Sequence, residues 1–212
     1  MSTRIQKPRS PMRKEPSQAR SRATVDAIVE SGARVLGDRG WAGFTTNTVA
    51  AVAGISIGSL YQYFPDKLSL VEAIRRRHFD EVLAVLRRAT IGGLTLRQGV
   101  EALVQGMIDA HSINPDLHRV LLDEVPGLEG SRSAHDAFLA DYRRCYRDFV
   151  TTHRHADPGP SDDLLAQLLS GVVEGVIHNG ARKGTLASAE LRQELVKMIC
   201  FYLGGTDPNR LG

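Results

Sequence analysis

The chain has 212 residues and only two cysteines, Cys145 and Cys200, which is too few for a cysteine-rich metal site. The two lie far apart in helical patterns, so a disulfide is not expected in a reducing compartment. The N-terminus lacks an apolar segment of the signal-peptide type. The longest apolar stretch, residues 164–177, is interrupted by Gln167 and Glu174. It is too short and too polar to span a bilayer. A cytoplasmic protein is therefore expected. H-E-x-x-H, P-loop and dinucleotide-binding glycine patterns are missing, and the seven histidines are scattered. The sequence predicts no catalytic residues, no metal site and no cofactor, and hence no enzyme.

Positive charge is concentrated at one end. Residues 1–22 carry seven Lys/Arg against one acid, Glu15, whereas residues 79–212 carry fourteen basic and eighteen acidic side chains. A basic arm beside a small folded unit points to a polyanionic partner. The arm contains Pro8, Pro11 and Pro16 and shows no periodicity, so residues 1–22 are expected to be disordered.

Beyond the arm the pattern is helical throughout, and no strand alternation or fixed-period repeat appears. A first helix starts near Thr24, with Val25, Ile28, Val29, Val35 and Leu36 on one side, and stops near Gly37–Gly40. Trp41 and Phe44 follow in a loop. Thr45 caps a short second helix bearing Val49, Ala50 and Ala53; Gly54 ends it in the left-handed region. Ser56 caps a third, which Pro65 stops. Asp66 caps a long fourth helix to about Thr90. Five more follow: residues 95–111; one capped by Asn114 with Pro115 in its first position, to about Glu124; one with a Ser133/Asp136 cap, to about His153; one from Ser161 to about Lys183; and one from Ser188 to Gly204–Gly205. The expected fold is all-α, with about nine helices.

The second and third helices, joined through Ala53-Gly54-Ile55-Ser56, form a helix-turn-helix unit. In such units the second helix enters the DNA major groove with its N-terminal residues at base edges. Leu60 and Phe64 are spaced to face inward, while Ser59, Gln62 and Tyr63 offer polar groups, with Tyr61 on the boundary. Arg75, Arg76 and Arg77 read as a solvated turn of the fourth helix.

The stretch TTNTVAAVAGISIGSLYQYFPDKLSLVEAI, residues 45–74, resembles the DNA-binding domain of tetracycline-repressor (TetR) family regulators. The matching features are the Thr45 cap, Val49-Ala50, A-G-I-S, G-S-L-Y-Q-Y-F, and Lys67 followed by Leu70. The resemblance implies three parts: an arm over 1–22, a helix-turn-helix domain over 23–68, and a ligand-binding and dimerising domain over 69–212. It implies DNA contact by Thr45, Thr46, Asn47, Ser56, Ile57, Gly58, Ser59, Tyr61, Gln62, Tyr63 and Lys67, with Tyr63 and Lys67 at phosphate positions. Arg20 and Arg22 of the arm would follow the backbone or enter the minor groove. One departure matters. Asn47 and Thr48 stand where many relatives carry a charged residue, so the capping box is incomplete and base preference does not carry over.

The resemblance further implies a homodimeric, ligand-responsive regulator, most simply a repressor released from a palindromic operator by a small-molecule effector. An activator or global regulator of the same fold is the alternative, as is a helical small-molecule-binding protein with a vestigial helix-turn-helix. Such a regulator would be cytoplasmic and nucleoid-associated when DNA-bound. The expected pocket residues are His111, Phe138, Tyr142, Cys145, Tyr146, Phe149, His178 and Asn179. The expected dimer interface is Gly171, Val172, Gly175 and Val176 on the eighth helix, with Leu195, Met198, Ile199, Tyr202 and Leu203 on the ninth.

Overall fold

In the computed structural model, residues 19–125, 132–154 and 159–204 are described. Most of them lie in nine α-helices: α1 (Ala19–Gly43), α2 (Thr46–Val52), α3 (Ile57–Tyr63), α4 (Lys67–Ala89), α5 (Leu96–Ser112), α6 (Leu117–Arg119), α7 (Arg132–His153), α8 (Asp162–Lys183) and α9 (Ala189–Gly204). A π-helical turn, Val120–Glu124, continues α6. Among the described residues there is no strand, and no helix is long and apolar enough to cross a membrane.

The chain forms two compact units. The first holds residues up to Arg77 together with Leu117–Arg132; the second holds His78–Asp116 and Ser133 onward. The helix-turn-helix domain was expected to end at residue 68. The compact unit instead includes the start of α4 and a distant excursion of the chain.

The first unit is built on side chains with almost no exposure: Ile28, Leu36, Phe44, Val49, Leu60, Phe64, Leu70 and Ile74. Leu117, Val120 and Leu121 belong to the same cluster. The sequence suggested a regular helix from Asn114 to Glu124. The observed segment starts at Leu117 and widens into a π turn, and Leu117, Val120 and Leu121 point into this core. α1 also differs from expectation. It begins at Ala19 rather than Thr24, so the last residues of the expected arm are helical. Gly40 is its only non-helical residue, with φ 63°. A Cβ there would lie 2.8 Å from Glu124 Oε2, and that carboxylate accepts a 3.0 Å hydrogen bond from the Trp41 N–H. Gly40 thus satisfies both a backbone conformation and a close approach.

The second unit packs α5, α7, α8, α9 and the C-terminal part of α4 around Phe79, Leu86, Leu103, Met107, Tyr146, Phe149, Val173 and Ile177. Its helix ends follow capping chemistry. Thr95 and Gln98 form a reciprocal capping box on α5. Ser161 caps α8, with Asp162 and Asp163 in its first turn and Arg182 and Lys183 in its last, each sign suited to the helix dipole. Gly184 closes α8 at φ 67°. The expected Ser133 cap is not at the start of α7, because that helix already begins at Arg132. Cys145 and Cys200 are buried free thiols.

Candidate nucleic-acid interface and effector interior

In the first unit, local hydrogen bonds set the shape of the helix-turn-helix. Thr45 Oγ1 accepts from the Thr48 N–H at 3.1 Å, and Ser56 Oγ from the Ser59 N–H at 3.1 Å. These caps start α2 and α3 where the sequence placed them. Gly54 has φ 67° and nothing within 4 Å of an added Cβ, so backbone conformation alone requires glycine there. The Ile55 N–H then bonds the Ala50 carbonyl at 3.0 Å, closing the turn. Tyr61 OH and Thr46 Oγ1 lie 3.0 Å apart and bridge α2 to α3.

The surface left by this arrangement comprises Thr45, Asn47, Ser56, Ile57, Gly58, Tyr61 and Gln62, all exposed, with Thr46 and Ser59 half-buried beside them. Ile57 and Tyr61 are large apolar groups held at 37% and 41% exposure.

Tyr63 and Lys67 are placed differently. Tyr63 packs on the core, and its hydroxyl lies 3.1 Å from Ser21 Oγ on α1. Lys67 Nζ donates to the Trp41 carbonyl at 3.0 Å and sits 3.3 Å from the Trp41 ring centroid. Burial lowers its pKa. Both polar tips therefore have internal partners. Arg22 is exposed on α1; the Arg20 side chain and residues 1–18 lie outside the described residues. Arg75 corrects the solvated-turn reading: it is 3% exposed, and its Nη2 lies 2.7 Å from Glu72 Oε2. Arg76 and Arg77 are exposed as expected.

In the second unit, six of the eight expected pocket residues are buried: His111, Phe138, Tyr142, Cys145, Tyr146 and Phe149. His178 is half-buried. Asn179 is exposed, because its place on α8 turns it away from the core that Ile177 and Gly180 face. The rings form a chain. Phe138 and Tyr142 centroids are 5.5 Å apart, Tyr142 and Tyr146 4.9 Å, and His111 and His178 5.1 Å. Two residues outside the expected pocket set extend it: Phe79 stacks on Phe138 at 3.8 Å, and His78 meets His111 edge-on at 5.4 Å. Their signal was periodicity. His78 and Phe79 precede Val82, Leu83 and Leu86 at core-facing spacing, so a polar residue was on the inner face.

Burial dominates the electrostatics of this interior. Burial, with neighbouring His111 and His178, pushes the His78 imidazole down to about 3. Burial also lowers His111, and it raises the phenols of Tyr142 and Tyr146, keeping them protonated. Glu174 on α8 is close enough to act electrostatically on His111, Tyr142 and Tyr146. The interior thus combines aromatic faces, neutral imidazoles, phenols and one carboxylate. A separate groove of about 480 Å³ between α5 and α9 is lined by Arg97, Glu101, Gln105, Arg192 and Lys197; it is an outer, charged surface distinct from this interior.

The expected dimer residues divide by orientation. Gly171, Val172, Gly175, Met198 and Tyr202 are exposed, and Val176 is half-buried. Leu195, Ile199 and Leu203 are a correction: at 2–4% exposure they fill the unit's own core and present nothing outward. Three further apolar residues are open, Leu164 (46%), Leu168 (46%) and Phe201 (57%). At helical spacing, Leu164, Leu168, Gly171, Val172 and Gly175 make one stripe along α8.

Comparison with known proteins gives two family matches: "Tetracyclin repressor-like, C-terminal domain" over residues 95–203, and "Bacterial regulatory proteins, tetR family" over residues 28–74. The chain is 32% identical over 101 residues to the transcriptional repressor KstR2 of Rhodococcus jostii, a match spanning 48% of this chain and 50% of that relative. It is 28% identical over 172 residues to the transcriptional regulator BetI of Stenotrophomonas maltophilia, covering 78% of this chain and 85% of that one. A TetR-like transcriptional regulator from Rhodococcus sp. RHA1 superposes with a TM-score of 0.64 at 21% identity, over 91% of this chain and 100% of that one. At that identity the likeness shows the fold.

Proposed function

We propose, for a chain that belongs to the tetracycline-repressor family of transcription regulators, that it represses as a homodimer on a palindromic operator and is released by a small-molecule effector. The single observation carrying the DNA-binding part is the α3 surface. Its N-terminal turn is capped, carries no bulky side chain at Gly58, and presents Ser56, Ile57, Ser59 and Gln62 outward, with Asn47 and Thr46 of α2 alongside. Groups of this kind read base edges when a recognition helix lies in the major groove. Tyr63 and Lys67 hold the frame of the unit, and Tyr61 braces α2 against α3 while keeping its ring exposed.

The stripe on α8 and the exposed Met198, Phe201 and Tyr202 on α9 support self-association. Apolar side chains and small residues along α8 permit close helix approach. The aromatic and imidazole interior of the second unit supports an effector site, with Asn179 outside it. Because coupling between binding equilibria is reciprocal, DNA weakens effector binding by the factor by which effector weakens DNA binding.

The test is fluorescence anisotropy of the purified protein on the DNA flanking its own gene, over a salt series. Nanomolar-range binding that weakens steeply with salt is expected. Indifference to all such DNA overturns the regulator reading.

A further inference from the structure

Among the described residues, the first unit leaves three large apolar side chains exposed: Val52, Ile57 and Tyr61, at 38%, 37% and 41%. All three belong to the helix-turn-helix, with Val52 closing α2 and Ile57 opening α3. Ile57 and Tyr61 stand four residues apart and so share one side of α3. Ile55, two residues earlier, packs against the unit's core; Ile57 is not part of it. A single apolar residue on a surface needs no explanation. This pair does, because it lies on the α3 face assigned to DNA, next to a glycine that leaves the approach open. A Cβ on Gly58 would meet nothing nearer than Ser56 Oγ at 3.9 Å.

The hydroxyls of the same face are committed to the fold. Thr45 Oγ1 lies 2.8 Å from Thr48 Oγ1, Ser56 Oγ 2.9 Å from Ser59 Oγ, and Thr46 Oγ1 3.0 Å from Tyr61 OH. The last contact also holds the Tyr61 ring in place. These hydroxyls accept and donate within the unit, whereas the apolar surface of Ile57 has no such use there. Ile57 is branched at Cβ and stiff at χ1, so little freedom is lost when its methyls meet a partner. The base edges in the major groove carry one apolar feature, the C5-methyl of thymine.

We propose that Ile57 is a specificity-determining residue that reads a thymine C5-methyl in each half-site, with the exposed Tyr61 ring lining the same side of α3. The inference rests on the regulator reading and adds to it the base chemistry that one side chain selects.

The experiment uses the full-length protein and the DNA flanking its gene, amplified once with dTTP and once with dUTP. Uracil keeps every hydrogen-bonding group of thymine and lacks only the methyl. Competition followed by fluorescence anisotropy gives the ratio of the two affinities. Burying one methyl is worth about fourfold, and a dimer makes two such contacts, so the parent should bind thymine DNA about tenfold more tightly. Ile57→Ala should bind the two DNAs alike, while Ile57→Val, which keeps the branch, should retain most of the preference. Ile57 lies outside the core, so thermal melting should show both variants folded. Unrelated DNA of equal length should give no preference with any of the three proteins. A parent that binds thymine and uracil DNA equally overturns the proposal, as does a preference that Ile57→Ala keeps or that unrelated DNA shares. Failure to bind the unmodified flanking DNA at all defeats the regulator reading instead, and this inference with it.

Discussion

Lys67 stands at the first position of α4, where a phosphate contact was expected, and its ammonium is already engaged by the Trp41 carbonyl and ring. The residue type and position were legible; the engagement was not, because Trp41 lies 26 residues away, just beyond the Gly40 break in α1. Lys67→Met keeps the stem and deletes the charge. It should cost about 1–2 kcal/mol in urea unfolding, the range of a charge-assisted hydrogen bond with a cation–π contact. A purely phosphate-binding lysine would leave stability unchanged and weaken only DNA affinity. Arg75 teaches a related lesson. Three consecutive arginines read as solvated, yet a helix turns consecutive residues about 100° apart, and the first was rotated into the interior beside Glu72.

At the scale of elements, the caps of α2, α3, α5 and α8 were readable because an N-cap is a local contact between residues three apart. The π turn was not, since its form depends on a core supplied by distant α1 and α4. Its Glu124 accepts from the Trp41 N–H and pairs with Arg119, which together hold its carboxyl below the ordinary value of 4.5. A depressed carboxyl contributes stability that is present above 4.5 and lost as pH falls through the lower folded value. Thermal unfolding should therefore show a stability loss below pH 4.5 that Glu124→Gln removes; an identical acid profile in the variant would disprove the tie. α9 was read as apolar on one broad face, and packing divides that face in two. Packing gave Leu195, Ile199 and Leu203 to the interior and left Met198, Phe201 and Tyr202 outside. Leu168→Glu combined with Phe201→Glu should convert a dimer to a monomer by sedimentation equilibrium, without loss of helix content. A double variant that still sediments as a dimer places the interface elsewhere.

For the whole molecule, the all-helical order was legible from period, caps and glycine breaks. The division into two units was not, because the first borrows Leu117, Val120 and Leu121 from a segment more than forty residues beyond α4's start. His78 escaped for the same reason: its contact with His111 is set by the packing of α4 against α5. What the sequence did carry across scales was the partition of the run from Ala53 to Phe64, in which Leu60 and Phe64 are fully buried and Ser56, Gly58 and Gln62 stay open. That partition is the basis for assigning the α3 face to DNA. Gly58 offers the most direct probe, since a Cβ there meets nothing nearer than Ser56 Oγ at 3.9 Å. Gly58→Glu therefore adds one negative charge to the face without disturbing the fold. Measured by anisotropy on the DNA flanking the gene, the variant should bind at least about a hundredfold more weakly than the parent, with unchanged thermal stability. Equal affinity in the two proteins would show that the α3 face does not touch DNA.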